Sequence, residues 1–368
     1  MQTQISSAQD SAVSSCGIVG SASYPASDVM ARKPILILHT GGTIGMRRGP
    51  RGYEPDPGFL AARMAEMPEF QSRALPAWEL EAFDPLLDSA NMTPKDWRRI
   101  ATAIAKRHEE FDGFIVVHGT DTMAYSASAL SFMLEGLAKP VVLTGSQIPL
   151  AEVRSDAREN LITSLLIAAQ QPFPEVCVFF GDQLYRGNRA TKVSASGFRA
   201  FDSPNFPPLG RAGARITLDR SLLRAPGASP FRLLAMADHE VAVLPIHPGV
   251  TAGMLQRFLA PPLEAAVLHT YGSGNAPDDP DLLAVLRAAT ARGAVLVNCT
   301  QCLSGGIDMQ GYATGSGLAA AGVISGYDMT AEAALTKIFF LLSAQLDRDQ
   351  IRQQMVRNLR GELTVPGH

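Results

Sequence analysis

Two short segments of the 368-residue chain place threonines where a hydroxyl can face a ligand. The first is Pro34-Ile-Leu-Ile-Leu-His-Thr-Gly-Gly-Thr-Ile-Gly45, and the second is Gly113-Phe-Ile-Val-Val-His-Gly-Thr-Asp-Thr-Met123. In each, a short apolar run stops at a glycine-containing turn. Thr40, Thr43, Thr120 and Asp121 are therefore expected at the carboxyl ends of strands, the edge at which open α/β sheets bind ligands. A threonine hydroxyl is a weak nucleophile until a base removes its proton, and a carboxylate with a downstream lysine is a kit for doing so. A threonine beside a glycine turn ordinarily serves local backbone, but two such motifs in this order are far more specific than one. A dinucleotide-binding reading of the first glycines fails on their spacing.

Three further segments offer ligand contacts. Pro85-Leu-Leu-Asp88-Ser89-Ala90-Asn91-Met92 follows a strand and precedes a helix cap, so its backbone and the Ser89 hydroxyl can meet a carboxylate. Arg47 to Tyr53 is a Gly/Pro-rich loop of the kind that closes over a substrate and excludes water. Lys192 ends Tyr185-Arg-Gly-Asn-Arg-Ala-Thr-Lys192. Burial lowers a lysine pKa and a neighbouring carboxylate raises it, and the sequence leaves open which wins. Asp121 either holds that lysine or binds a substrate ammonium through a charge-assisted bond.

The TGGTI and HGTDT segments together resemble the bacterial-type L-asparaginase family, most closely its cytoplasmic type I branch, from about Met30 to Pro366. The resemblance implies hydrolysis of L-asparagine to L-aspartate and ammonia, without a cofactor, by a cytoplasmic homodimer or homotetramer. It makes Thr43 the nucleophile and Tyr53 a lid phenol touching it. Thr120, Asp121 and Lys192 become a catalytic triad, and Asp88, Ser89 and the backbone near Ala90 hold the α-amino acid end of the substrate. Asn275, in Tyr271-Gly-Ser-Gly-Asn275, is expected to reach a neighbouring subunit's site. Some type I members carry a second asparagine site built on an arginine and a Thr-Gln-Cys cysteine. Here Cys302 keeps the cysteine but His269 stands at the arginine position, so weak cooperativity is expected near neutral pH. The alternatives are an amidase for larger substrates, as in a tRNA-dependent amidotransferase, and a catalytically silent amino-acid sensor.

These side chains need a scaffold, and hydrophobic patterning supplies one. Strands are expected at Ile35–Leu38, Glu79–Phe83, Phe114–Val117, Val141–Thr144 and Val176–Phe180, alternating with helices at 59–67, 93–107, 122–137 and 155–169. Thr93 is a suitable N-cap with Pro94 at the first helical position. The alternation implies a doubly wound, mostly parallel sheet in a larger N-terminal domain, residues 30–220. Residues 201–230 read as surface loops, and 221–238 as a linker. A smaller C-terminal α/β domain, 239–368, is expected to hold strands at 241–246, 265–270 and 294–299, with helices at 252–259, 279–292, 330–346 and 349–358.

Composition narrows the remaining possibilities. With 46% hydrophobic and 18% charged residues, the chain has the make-up of a folded protein. A net charge of −3 leaves no electrostatic footprint for nucleic acid or an anionic membrane. Residues 1–29, rich in Ser, Ala and Gly and lacking Lys and Arg, read as a disordered leader, with Met30 the expected working start. Cys16, Cys177, Cys299 and Cys302 are too irregular for a disulfide framework. The Cys299-Thr-Gln-Cys302 pair lacks the second cysteine pair of a zinc site, and the histidines show no metal-ligand spacing, so no metal is expected.

Overall fold

The computed structural model describes residues 32–365, apart from 51, 171, 228 and 310–312. The expected leader and Met30 lie outside the described residues. The described residues from Lys33 onward form one compact unit with two main sheets, of eight and four strands, and three two-stranded ones.

The larger sheet has eight strands. Across it run Ile216–Leu218, Gly210–Ala212, Gln183–Arg186, Val176–Phe180, Val141–Thr144, Gly113–Val117, Ile35–Gly41 and Trp78–Leu87. The last five are mutually parallel. Read from the Trp78–Leu87 edge, they come second, first, third, fourth and fifth in chain order, so the winding reverses between Ile35–Gly41 and Gly113–Val117. That switch point opens a crevice at the carboxyl ends of these two strands.

Both faces of the sheet are covered, which explains why its central strands are continuous apolar runs rather than alternating ones. Leu36, Leu38, Phe114 and Val116 share one core with Trp97, Ile100, Ala101 and Ile104 of helix Pro94–Lys106. Those four helical positions follow the i, i+3, i+4, i+7 stripe of an amphipathic helix, and each large side chain buried contributes about 1.5–3 kcal/mol. Ile35, Ile37, Ile115 and Val117 point the other way, onto Leu60, Met64, Leu161 and Leu165. At the N-terminus of Pro94–Lys106 the Asp96 carboxylate accepts from the Thr93 backbone N–H and hydroxyl, at 2.8 and 2.9 Å.

The smaller sheet is fully parallel, in the order Val241–Pro245, Ala265–Thr270, Val295–Thr300 and Ile324–Ser325. Helices Ala252–Phe258 and Pro280–Ala291 cover one face, and Ala331–Ser343 with Arg348–Met355 the other. Helix Ala331–Ser343 also packs on Met123–Met133 beside the larger sheet, where Ser128 Oγ and Thr336 Oγ1 share a buried 2.7 Å hydrogen bond.

The structure departs from expectation in several elements. Residues 201–230 are not all loop: Gly210–Ala212 and Ile216–Leu218 form a hairpin that extends the large sheet antiparallel to Gln183–Arg186. Three-residue strands between prolines and glycines are too short to show a period. The helix expected over 122–137 spans Met123–Met133, because Leu134–Glu135 pairs with Arg232–Leu233 and Leu234 N–H takes the Met133 carbonyl at 2.8 Å. That partner strand lies in the stretch expected to be linker. Helix Ala331–Ser343 likewise ends early, and Asp347 caps the next one. Helix Ala313–Ala320 was not anticipated.

Candidate active site

Three chain segments converge at the switch point, and glycines set how close they come. Gly42 has φ of 91°, and a Cβ there would lie 2.5 Å from the Gly119 nitrogen. A Cβ on Gly119 would lie 2.3 Å from Ser89 Oγ. The Thr43 turn and the Gly119-Thr120 turn are therefore in direct backbone contact, and the Ser89 side chain lies on Gly119, approaches that any side chain at either glycine would prevent.

Thr43 opens a single 3-10 turn, Thr43–Gly45, and is half-buried. Its hydroxyl makes no hydrogen bond among the described residues. Thr40 faces inward instead, donating to the Val117 carbonyl at 2.8 Å and tying the two central strands together. Beneath this loop His39 is fully buried, and neither ring nitrogen has a hydrogen-bond partner among the described residues. Burial brings its pKa down to about 4. Its ring lies against Gly45, where a Cβ would be 2.5 Å from Nε2.

The second motif delivers a complete side-chain set. Lys192 Nζ donates to Thr120 Oγ1 at 2.9 Å and pairs with Asp121 Oδ1 at 2.7 Å. With its oxygen accepting from the lysine, the Thr120 hydroxyl directs its proton toward Gln147 Oε1, 3.5 Å away. Gln147 is anchored by Nε2 donating to the Gly197 carbonyl at 3.1 Å, and by its backbone N–H on Asp156. His118, one turn before Thr120, is buried, its Nδ1 on the Gly119 carbonyl at 2.7 Å and its Nε2 on Ser126 Oγ at 2.8 Å. A carbonyl only accepts, so Nδ1 carries the proton. Burial lowers this pKa also to about 4, against the Gly119 hydrogen bond.

Lys192 sits in the two-residue strand Thr191–Lys192, paired with Phe201–Asp202. The preceding residues are gripped by the second domain. Thr191 Oγ1 donates to Glu332 Oε1 at 2.7 Å. Fully buried Arg189 bonds the Gly361 carbonyl at 2.7 Å, Asp328 Oδ2 at 2.8 Å and Thr364 Oγ1 at 3.0 Å. Arg189, Glu332 and Gln147 escape sequence reasoning because their partners are tens to hundreds of residues distant.

The third segment is organised by its own backbone. Asp88 caps a turn, Ser89–Asn91, by accepting from Ala90 N–H at 3.0 Å. Ser89 is buried, its carbonyl accepting from Thr122 Oγ1 at 2.8 Å, whereas Asp88 and Ala90 are exposed.

Not every expected residue joins this cluster. The segment carrying Tyr53 is a hairpin, Met46–Gly49 with Gly52–Pro55, whose second strand lies beside the Thr43 turn. The Tyr53 phenol is nearly half-exposed and donates to Glu152 Oε1 at 2.8 Å, in place of the expected contact with Thr43. That hydrogen bond, with the nearby Glu152 charge, raises the phenol pKa. Asn275 belongs to the second domain, closing a turn by mutual backbone hydrogen bonds with Tyr271 at 2.8 and 2.9 Å. His269 and Cys302 lie at the carboxyl edge of the smaller sheet. His269 is half-buried with its pKa lowered by burial, and Cys302 is exposed, its N–H on Thr300 Oγ1 at 3.0 Å. Among the described residues no cluster of three or more potential metal ligands occurs, and no helix is long and apolar enough to cross a membrane.

A doubly wound sheet with a threonine turn, a hydroxyl–lysine–carboxylate set and an Asx-capped backbone recess at its switch point has the make-up of an α/β enzyme with its ligand site at that edge. Comparison with known proteins narrows this. Residues 34–224 match the family model for the asparaginase N-terminal domain, and residues 240–355 that for the glutaminase/asparaginase C-terminal domain. The chain belongs to the asparaginase family. It is 50% identical over 335 residues to L-asparaginase 1 of Escherichia coli K12, covering 91% of this chain and 99% of that one. The crystal structure of L-asparaginase I from Vibrio cholerae superposes with a TM-score of 0.86 at 47% identity, covering 91% of this chain and all of that one. A 60 kDa lysophospholipase of Mus musculus is 44% identical over 90% of this chain and 63% of its own length.

Proposed function

We propose that the protein hydrolyses the side-chain amide of L-asparagine to L-aspartate and ammonia. The observation that carries this reading is Lys192 Nζ bridging Thr120 Oγ1 and Asp121 Oδ1 beside the Thr43 turn. Thr43 Oγ1 attacks the amide carbon and loses its proton toward the Thr120–Lys192 pair, while the negative charge collects on the amide oxygen. Backbone N–H groups near Thr120 face that oxygen, and one such donor contributes about 3 kcal/mol to the transition state. Proton delivery to the departing nitrogen releases ammonia and adds roughly 10²–10⁴-fold in rate. Water then cleaves the acyl-threonine and restores the hydroxyl. Asp88, Ser89 and the Ala90 backbone hold the α-amino and α-carboxyl groups together with Asp121. Tyr53 acts as a lid residue, leaving Glu152 when substrate arrives. Asn275 completes a site in a second copy, giving a homodimer or homotetramer in the cytoplasm.

Ammonia release from asparagine and glutamine, measured over a concentration series with purified protein and with Thr43→Ala, tests the assignment. Turnover of asparagine by the parent and its loss in the variant are expected. An asparagine-induced thermal shift without ammonia would identify a sensor instead, and full activity in Thr43→Ala would remove Thr43 from the mechanism.

A further inference from the structure

At the opposite edge of the large sheet, where Val176–Phe180 begins, the second domain's last described segment meets the end of helix Met123–Met133. A cavity of about 140 Å³ lies there, lined among others by Glu135, Glu175, Arg186, Arg224 and Arg360. A single water needs only about 10–15 Å³ measured the same way, so the cavity has room for a polyatomic ligand.

The charges around it do not balance. Arg186 is satisfied: it pairs with Glu175 through two bonds of 2.7 and 3.0 Å and reaches the Leu222 carbonyl at 2.7 Å. Glu135 serves both Arg232 and Arg360. Four guanidiniums, of Arg186, Arg224, Arg232 and Arg360, thus face two carboxylates. The next nearest, Glu362, is taken by Lys337 at 2.5 Å and by the Leu359 and Arg360 N–H groups. Arg224 donates its backbone N–H to Glu175 at 2.7 Å, but its half-buried guanidinium has no hydrogen-bond partner among the described residues. Arg360 Nε is buried and also has no hydrogen-bond partner among the described residues. Burial depresses the Arg224 pKa, the Glu175 charge opposes that shift, and repulsion from Arg360 and Arg186 adds to it against a smaller pull from Glu362, yet a guanidinium stays charged at neutral pH. A cation withdrawn from water requires a counter-charge.

We propose that this cavity is a binding site for a small oxyanion, phosphate or sulfate or a carboxylate, held by the Arg224 guanidinium and Arg360 Nε. Guanidinium forks match the paired oxygens of all three. The site joins the base of the large sheet to the segment around Arg360, so occupancy stabilises that junction. It lies at the amino ends of the strands, away from the threonine turns, so anion binding and asparagine hydrolysis stand or fall separately.

The test is thermal unfolding of the purified protein in phosphate, sulfate, acetate and chloride at matched ionic strength, with calorimetric titration of phosphate. Phosphate and sulfate also stabilise proteins generally by exclusion from the surface, so the decisive result is a saturable response that depends on Arg224. The expected rise in Tm is about 2–4 °C at ten times the half-saturating concentration. Arg224→Gln should lose it, and Lys192→Met should keep it, which separates this cavity from the threonine site. Saturation by acetate alone would assign the site to carboxylates. No saturable response to any of the three, or an Arg224→Gln response equal to the parent's, would overturn the proposal. Should that variant fail to fold, the absence of phosphate binding heat in the parent would do so.

Discussion

Lowering the pH from 7.5 to 5.5 places the strain of acidification on two histidines that carry the ligand-facing turns. His39 and His118 both have pKa values near 4, against an ordinary value of 6.5, because burial penalises the imidazolium. The folded protein therefore binds fewer protons than the unfolded chain between pH 6.5 and 4. The stability these neutral rings confer is whole above 6.5 and is lost progressively as the pH falls toward 4. At pH 5.5 each histidine costs about 1.4 kcal/mol, and the pair about 3 kcal/mol. For a protein of this size that lowers Tm by roughly 4 °C. Calorimetric or circular-dichroism melts at pH 7.5, 6.5 and 5.5 measure it. His39→Leu isolates one term, since the His39 ring forms no hydrogen bond whose loss would confuse the comparison. The variant should show a clearly smaller pH slope than the parent, whatever its absolute stability. A parent Tm flat across this range, or an undiminished slope in His39→Leu, would refute the reasoning. Because the His39 ring lies against Gly45, two residues past Thr43, turnover should decline over the same interval.

Lys192→Met should lower kcat by about 10²–10⁴-fold with little change in Tm, and adding Thr120→Ala should cost little more, because members of one proton-handling unit do not act additively; steady-state kinetics of the single and double variants checks this. Gly119→Ala places a Cβ 2.3 Å from Ser89 Oγ, so the two turns must part and KM for asparagine should rise before kcat changes. Arg189→Leu strands Asp328 and should lose about 3–5 kcal/mol, visible as a Tm drop of at least about 4 °C. His269, kept neutral by burial at pH 7, should give a hyperbolic asparagine curve at pH 8, and His269→Arg should steepen it; a strongly sigmoidal parent curve would contradict this.

The central strands were legible because strands buried on both faces must be apolar throughout, and Ile35–Leu38, Phe114–Val117 and Val176–Phe180 are. Thr93 was legible because a cap acts over three residues. The hairpin at 210–218 was not, since its strands are held by hydrogen bonds to Gln183–Arg186 rather than by an apolar period. The meeting of Lys192 with Thr120 and Asp121, some 72 and 71 positions earlier, was anticipated through family resemblance; nothing in local pattern encodes it. Tyr53 shows the limit of that route. Resemblance predicts a phenol on the nucleophile, but a carboxylate at Glu152 offers a stronger acceptor, and the phenol has gone there.

The grip of Arg189 on Thr364 spans 175 positions of chain. At about 5–20 residues per second on the ribosome, roughly 9–35 s separate the synthesis of these two partners. Once Ile216–Leu218 has been made the large sheet has all its strands, yet the arm carrying Lys192 still lacks Asp328, Glu332, Gly361 and Thr364. A nascent chain at that stage has Lys192 unlatched, and the arm is fixed late, when the second sheet closes over it. Any chaperone engaging this protein during translation would meet the exposed Arg189 arm and the uncovered face of helix Met123–Met133 before anything else.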